Sequence, residues 1–101
     1  MTLVRWTETA LADLESIRDY IRHDSPVLAQ LVVTRLNESV GLLSNNPDAG
    51  RLVPDRDDPA LRELIRPPYR VVYERHLDAV VILTIFHSAR MFPRDIPPAA
   101  R

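Results

Sequence analysis

Apolar side chains at Ala10, Leu14, Ile17 and Ile21 are spaced by four, three and four residues, so they share one face of a helix. Glu15, Arg18, Asp19 and Arg22 fall on the wet side. Thr7 precedes the run as a hydroxyl N-cap, and Glu8, Asp13 and Glu15 place negative charge where the helix dipole favours it. The pattern predicts a helix that runs to about His23. A second helix starts at Ser25-Pro26, a capping hydroxyl followed by proline in the first turn, where a missing N–H costs nothing. Ala29, Val32, Val33, Leu36, Val40 and Leu43 keep the helical period until Asn45-Asn46-Pro47. Only His23-Asp24 separates the two helices, so they form an antiparallel hairpin.

The period changes elsewhere. Leu3-Val4-Arg5-Trp6 reads as a short opening strand. Residues 46–60 are dense in Pro, Asp and Gly and read as a long loop. Three strands follow: Leu61–Arg66, then Tyr69–Arg75 beyond a Pro67-Pro68 break, then Ala79–Phe86 beyond a turn at His76-Leu77-Asp78. In the middle strand Val71 and Tyr73 alternate with Arg70, Val72 and Glu74. The last run, AVVILTIF, is apolar on both alternations, as expected of a central strand covered on both faces. The expected fold is α+β: a strand, an antiparallel helix hairpin and three sequential antiparallel strands, with the helices on one face of a mainly antiparallel sheet. Residues 1–92 form one domain, and 93–101 a proline-broken, irregular tail.

At 101 residues the chain supports one modest core. Its apolar runs are too short for a membrane span, its N-terminus lacks the layout of a secretory signal, and it has no cysteine; together these imply a cytoplasmic protein without disulfides or thiolate metal sites. The three histidines, His23, His76 and His87, have no helical metal-ligand spacing, so neither metal nor cofactor is expected. All 13 basic residues are Arg, which compositional bias explains. Residues 1–50 carry four Arg against seven acids, net −3; residues 51–101 carry nine against seven, net +2. The cations gather in the C-terminal half, yet an overall charge of −1 is too low for a dedicated nucleic-acid binder.

Gly50 reads as a positive-φ turn residue, and Arg51 as a side chain that pins its loop to an acid. Tyr69, Tyr73 and Trp6 read as packing residues. Arg62, Arg66, Arg70 and Arg90 are individually explained by solvation or pairing with acids, but four Arg near one sheet rim also define a candidate binding surface. His87, at the end of the last strand, suits either a terminal hydrogen bond or proton transfer.

Several of these pieces, in order, resemble the RelE/ParE toxin superfamily of type II toxin–antitoxin systems, and its ParE branch in particular. They are Val4-Arg5-Trp6-Thr7 with Ala10, Asp13, Leu14, Ile17 and Tyr20-Ile21; Asn46-Pro47 with Gly50-Arg51 and Val53-Pro54; Leu61-Arg62-Glu63-Leu64; Pro68-Tyr69-Arg70-Val71-Val72-Tyr73; and Asp78-Ala79-Val80 with Ile82-Leu83 and His87-Ser88-Ala89-Arg90. The resemblance spans roughly residues 3–92 and implies a cognate antitoxin partner, whose disordered C-terminal part would fold along the groove between helix hairpin and sheet. It implies one of two activities. The ParE branch is associated with inhibition of DNA gyrase. The RelE branch cuts messenger RNA on the ribosome, which requires a general base, a donor to the leaving oxygen and cations on the phosphorane.

For the ribonuclease reading, the resemblance offers Arg70 as a phosphate-binding cation, with His87 and Arg90 near the acid/base position; antiparallel pairing would let the three converge at one rim. Lysine, a tyrosine after His87 and strong positive charge are missing. The balance therefore favours a gyrase-directed toxin that touches DNA only through its antitoxin, with Arg51, Arg62, Arg66, Arg70, His87 and Arg90 as candidate contact residues. A third possibility is a non-toxic partner in an antitoxin–DNA repressor complex.

Overall fold

A computed structural model describes residues 1–94 and Ile96. Strand β1 (Leu3–Trp6) leads through the Thr7 cap into α1 (Glu8–Arg22), followed by α2 (Pro26–Gly41), whose last turn tightens into a 3₁₀ segment at Leu42–Ser44. Both expected caps form: Thr7 Oγ1 accepts from the Ala10 N–H at 3.1 Å, and Ser25 Oγ from that of Leu28 at 3.1 Å. Strands β2 (Arg51–Leu52), β3 (Leu61–Arg66), β4 (Tyr69–Arg75) and β5 (Ala79–His87) complete one five-stranded sheet in the order β1-β5-β4-β3-β2. Neighbours are antiparallel except β1, which runs parallel to β5 and makes β5 an interior strand, as its apolar run requires.

Two apolar clusters sandwich the sheet. Ala10, Leu14, Val33, Leu36, Val40 and Leu43 of the helical layer meet Leu64, Val71, Tyr73, Val80, Ile82 and Ile85 on one face. On the other face Leu61, Val72, Val81, Leu83 and Phe86 are covered by Val53 of the loop, Phe92 and Ile96. The C-terminal segment is therefore seated on the sheet as far as it is described. Residues 95 and 97–101 of the expected tail lie outside the described residues.

One irregularity fixes how α1 sits. β4 and β5 pair Val72 with Thr84 but Tyr73 with Ile82, so Leu83 is an extra residue, a bulge in β5. The bulge turns Thr84 toward α1, and its loosened backbone groups are taken up by that helix. Asp13 accepts from the Thr84 hydroxyl at 2.6 Å and from the Ile85 N–H at 3.0 Å. The Thr7 hydroxyl donates to Ile82 O at 2.9 Å. Asp13→Ala would leave the Thr84 hydroxyl and the Ile85 N–H without their acceptor, and a loss of about 1–3 kcal/mol in urea unfolding is expected. A variant as stable as the parent would show that Asp13 is not the anchor.

Candidate functional site

The six candidate residues divide between two faces of the sheet. Register puts Tyr69 opposite His87 and Arg70 opposite Phe86. Because alternate residues of a strand point to opposite faces, Arg70 and His87 are neighbours along the rim but face apart.

On the face away from the helices, Arg70 is fully engaged. Its Nε donates to Glu63 Oε1 at 2.7 Å and its Nη2 to Asp55 Oδ1 at 2.6 Å. Its guanidinium carbon lies 5.2 Å from the ring centres of both Phe86 and Phe92. Arg51 Nε reaches the second carboxylate oxygen of Glu63 at 2.8 Å, so loop, β3 and β4 are joined through one acid whose side chain has no solvent exposure. Arg70 itself is 12 % exposed. Burial alone would lower the Arg70 pKa, but its hydrogen bonds to Asp55 and Glu63 outweigh that and raise it above the ordinary value. The expectation that Arg51 pins its loop to an acid is met, and the acid is Glu63. Arg56 closes the same face from the loop: it lies 4.9 Å from the Phe92 ring centre and donates to Pro93 O at 2.7 Å and Arg94 O at 2.9 Å.

Arg62 and Arg66 hold other parts of the frame. Arg62 Nη1 donates to Gly50 O at 2.7 Å. Arg66 Nε donates to Ser39 Oγ of α2 at 2.8 Å, tying the end of β3 to the helix hairpin. The turn at Pro47–Gly50 is clasped by Tyr73, whose hydroxyl donates to Pro47 O at 2.8 Å and accepts the Gly50 N–H at 2.9 Å. Burial is the main reason the Tyr73 phenol ionises only above its usual range. Gly50 does not have positive φ, which corrects the expectation from sequence. Glycine is required because Glu63 O and the Tyr73 ring edge and hydroxyl would each lie 2.7 Å from a β-carbon there.

His87 and Arg90 face the helical side. With Ser16, Ile17 and Tyr20 of α1 and Tyr69 of β4 they line an open cleft of about 540 Å³. Tyr69 meets His87 edge-on, with ring centres 5.8 Å apart. His87 Nδ1 accepts the Ala89 N–H at 3.0 Å, so a neutral ring carries its proton on Nε2. Burial and the nearby Tyr20 phenol both raise the Tyr69 pKa. The cleft thus offers aromatic walls, hydroxyl donors and the exposed guanidinium of Arg90, which makes no ion pair with a described residue. Tyr20 was missed as a site residue. Beyond its place in the resembling Tyr20-Ile21 pair, its signal in the sequence is a large aromatic amid Asp19 and Arg22, at the border of the wet face of α1. Among the described residues no cluster of His, Cys, Asp or Glu is suited to hold a metal, and no helix is long and apolar enough to cross a membrane.

The chain thus combines a helix hairpin over one face of a five-stranded sheet with an arginine-bearing loop locked to the central hairpin. The model of the ParE toxin of type II toxin–antitoxin systems matches residues 4–92, so the chain belongs to the ParE toxin family. It is 42% identical over 92 residues to Toxin RelE2 of Caulobacter vibrioides, covering 90% of this chain and all of that one. It is 38% identical over 93 residues to the putative toxin Y4kP of Sinorhizobium fredii, covering 90% and 93%. Among solved structures it resembles the chromosomal ParDE TA system from P. aeruginosa, with a TM-score of 0.70 and 29% identity over 86% of this chain and 96% of that one. It also resembles the toxin–antitoxin complex RelBE2 from Mycobacterium tuberculosis, with a TM-score of 0.60 and 27% identity over 85% and 96%.

Proposed function

We propose that this toxin inhibits DNA gyrase by protein–protein contact in the bacterial cytoplasm and is neutralised by a cognate antitoxin. The antitoxin's C-terminal segment would occupy the cleft between α1 and the ends of β4 and β5, where Tyr20, Tyr69 and Arg90 offer apolar and cationic contact. Both structural relatives come from toxin–antitoxin systems, which supports such a partner. The names of the relatives fall on both the ParE and the RelE side, so the choice of target rests on the site. The observation that carries it is the commitment of Arg70. The cation a ribonuclease would aim at phosphate is hydrogen-bonded to Glu63 and Asp55 and covered by Phe86 and Phe92, on the opposite face from His87. A surface that acts by contact needs no such convergence.

Purified chain is expected to inhibit gyrase supercoiling and leave ribosome-bound messenger RNA intact, and its expression without antitoxin should induce the SOS response. His87→Ala should change toxicity by no more than about threefold; loss of an acid/base group in an endonuclease would cost about 10²–10⁴. Cleavage of messenger RNA in the ribosomal A site with supercoiling unaffected would reverse the assignment.

A further inference from the structure

The outer side of α2 carries an exposed pattern of apolar and charged side chains. Leu28, Leu31, Arg35, Glu38 and Leu42 are spaced by 3, 4, 3 and 4 residues, the spacing of a coiled-coil seam, away from the buried Ala29, Val33, Leu36 and Val40. Leu28, Leu31 and Leu42 are 49 %, 43 % and 62 % exposed. Arg35 and Glu38 are also exposed and form no ion pair with a described residue. A β-carbon at the adjacent Gly41 would meet nothing within 4 Å, so the backbone there is open to close approach.

The order of these residues points to what covers them. From 31 to 42 the face reads Leu, Arg, Glu, Leu with gaps of 4, 3 and 4 residues, a sequence that is its own complement when reversed. A second copy of α2 laid antiparallel sets Leu31 against Leu42 and Arg35 against Glu38, each contact occurring twice by symmetry. A parallel copy would set Arg35 against Arg35. An unrelated acidic or basic helix would satisfy one charge and oppose the other. We propose that this face is the interface of an antiparallel homodimer, with the twofold axis passing between Arg35 and Glu38. The five seam residues share no member with the cleft at His87 and Arg90, so the dimer is independent of the choice of target.

The test is sedimentation of the full-length chain over roughly 1–200 µM, a range that spans typical weak self-association. Wild type should show a concentration-dependent dimer. Arg35→Glu or Glu38→Arg alone places like charges in both symmetric contacts and should weaken association by about tenfold or more. The double reversal Arg35→Glu/Glu38→Arg should restore it. Leu31→Gln weakens the same seam without altering charge, and thermal melts confirm that each variant is folded. A chain that stays monomeric throughout, or a dimer indifferent to the single reversals, would overturn the proposal. So would reversals that spare self-association and weaken antitoxin binding instead.

Discussion

Glu63→Ala is expected to cost about 3–5 kcal/mol, because it strands the nearly buried Arg70 guanidinium without its principal partner. That is a large share of the ~5–15 kcal/mol by which a domain of this size is stable. Arg70→Ala should cost a similar amount from the other side, by leaving the Glu63 carboxylate inside the sheet face with Arg51 alone. The pair is strongly coupled, so the double replacement Glu63→Leu/Arg70→Met should recover most of the loss, apolar groups of similar volume being about neutral in place of a buried ion pair. Arg51 is 61 % exposed and can return to water. Urea unfolding of the two single variants and the double provides the cycle. Single losses within about 1 kcal/mol of the parent would show that the network does not hold β3 to β4.

The same double variant separates the two activities. Once the fold is restored, a gyrase inhibitor that works through its outer surface should keep most of its toxicity. A ribonuclease relying on Arg70 for phosphate should lose it. Toxicity of Arg70→Ala alone is ambiguous, since unfolding and loss of chemistry give one outcome.

Much of this frame was legible in the residues. The bounds of β3 and β4 coincide with the expected ones because Pro67-Pro68 separates the two runs, and β5 runs one residue further than expected, to His87. The helix caps were readable because Thr7 and Ser25 each supply an oxygen to a donor three residues on. Strand β2 was not legible. Two residues among Pro, Asp and Gly show no period, and they become a strand through pairing with Arg62 and Glu63. The parallel docking of β1 on β5 is likewise a tertiary choice that element order does not determine.

The candidate site was readable as a list but not as an arrangement. Alternation along β4 already separates Arg70 from Tyr69, yet which of them shares a face with His87 depends on register across to β5. That register is shifted by the bulge at Leu83, and nothing in AVVILTIF marks where the extra residue falls. Arg51 could be matched to an acid in principle but not to Glu63 in particular, since 14 acidic residues compete. Four of the six candidates, Arg51, Arg62, Arg66 and Arg70, hold the frame together, while His87 and Arg90 face an open cleft.

Gly50→Ala should destabilise the chain by about 3 kcal/mol, at the upper end of overpacking costs, which is roughly 12–24 °C in melting temperature for a domain of about 100 residues. The added methyl would meet three atoms at 2.7 Å, and none can give way cheaply. Glu63 O belongs to the backbone of β3, in the strand that carries the buried ion pair. The other two atoms are on Tyr73, which is fully buried and held by hydrogen bonds to Pro47 O and the Gly50 N–H. Moving the turn outward instead would break its hydrogen bond from Arg62 and pull Arg51 away from Glu63. A second substitution tells close approach apart from backbone conformation. Asn tolerates positive φ better than Ala, so if Gly50 were kept for its φ, Gly50→Asn would be the milder change. With φ already in the ordinary range and the space filled, the larger Asn side chain should be at least as damaging as Ala. Thermal melts of both variants decide it: an Asn variant clearly more stable than the Ala variant would mean that contact with Tyr73 and Glu63 is not what reserves this position for glycine.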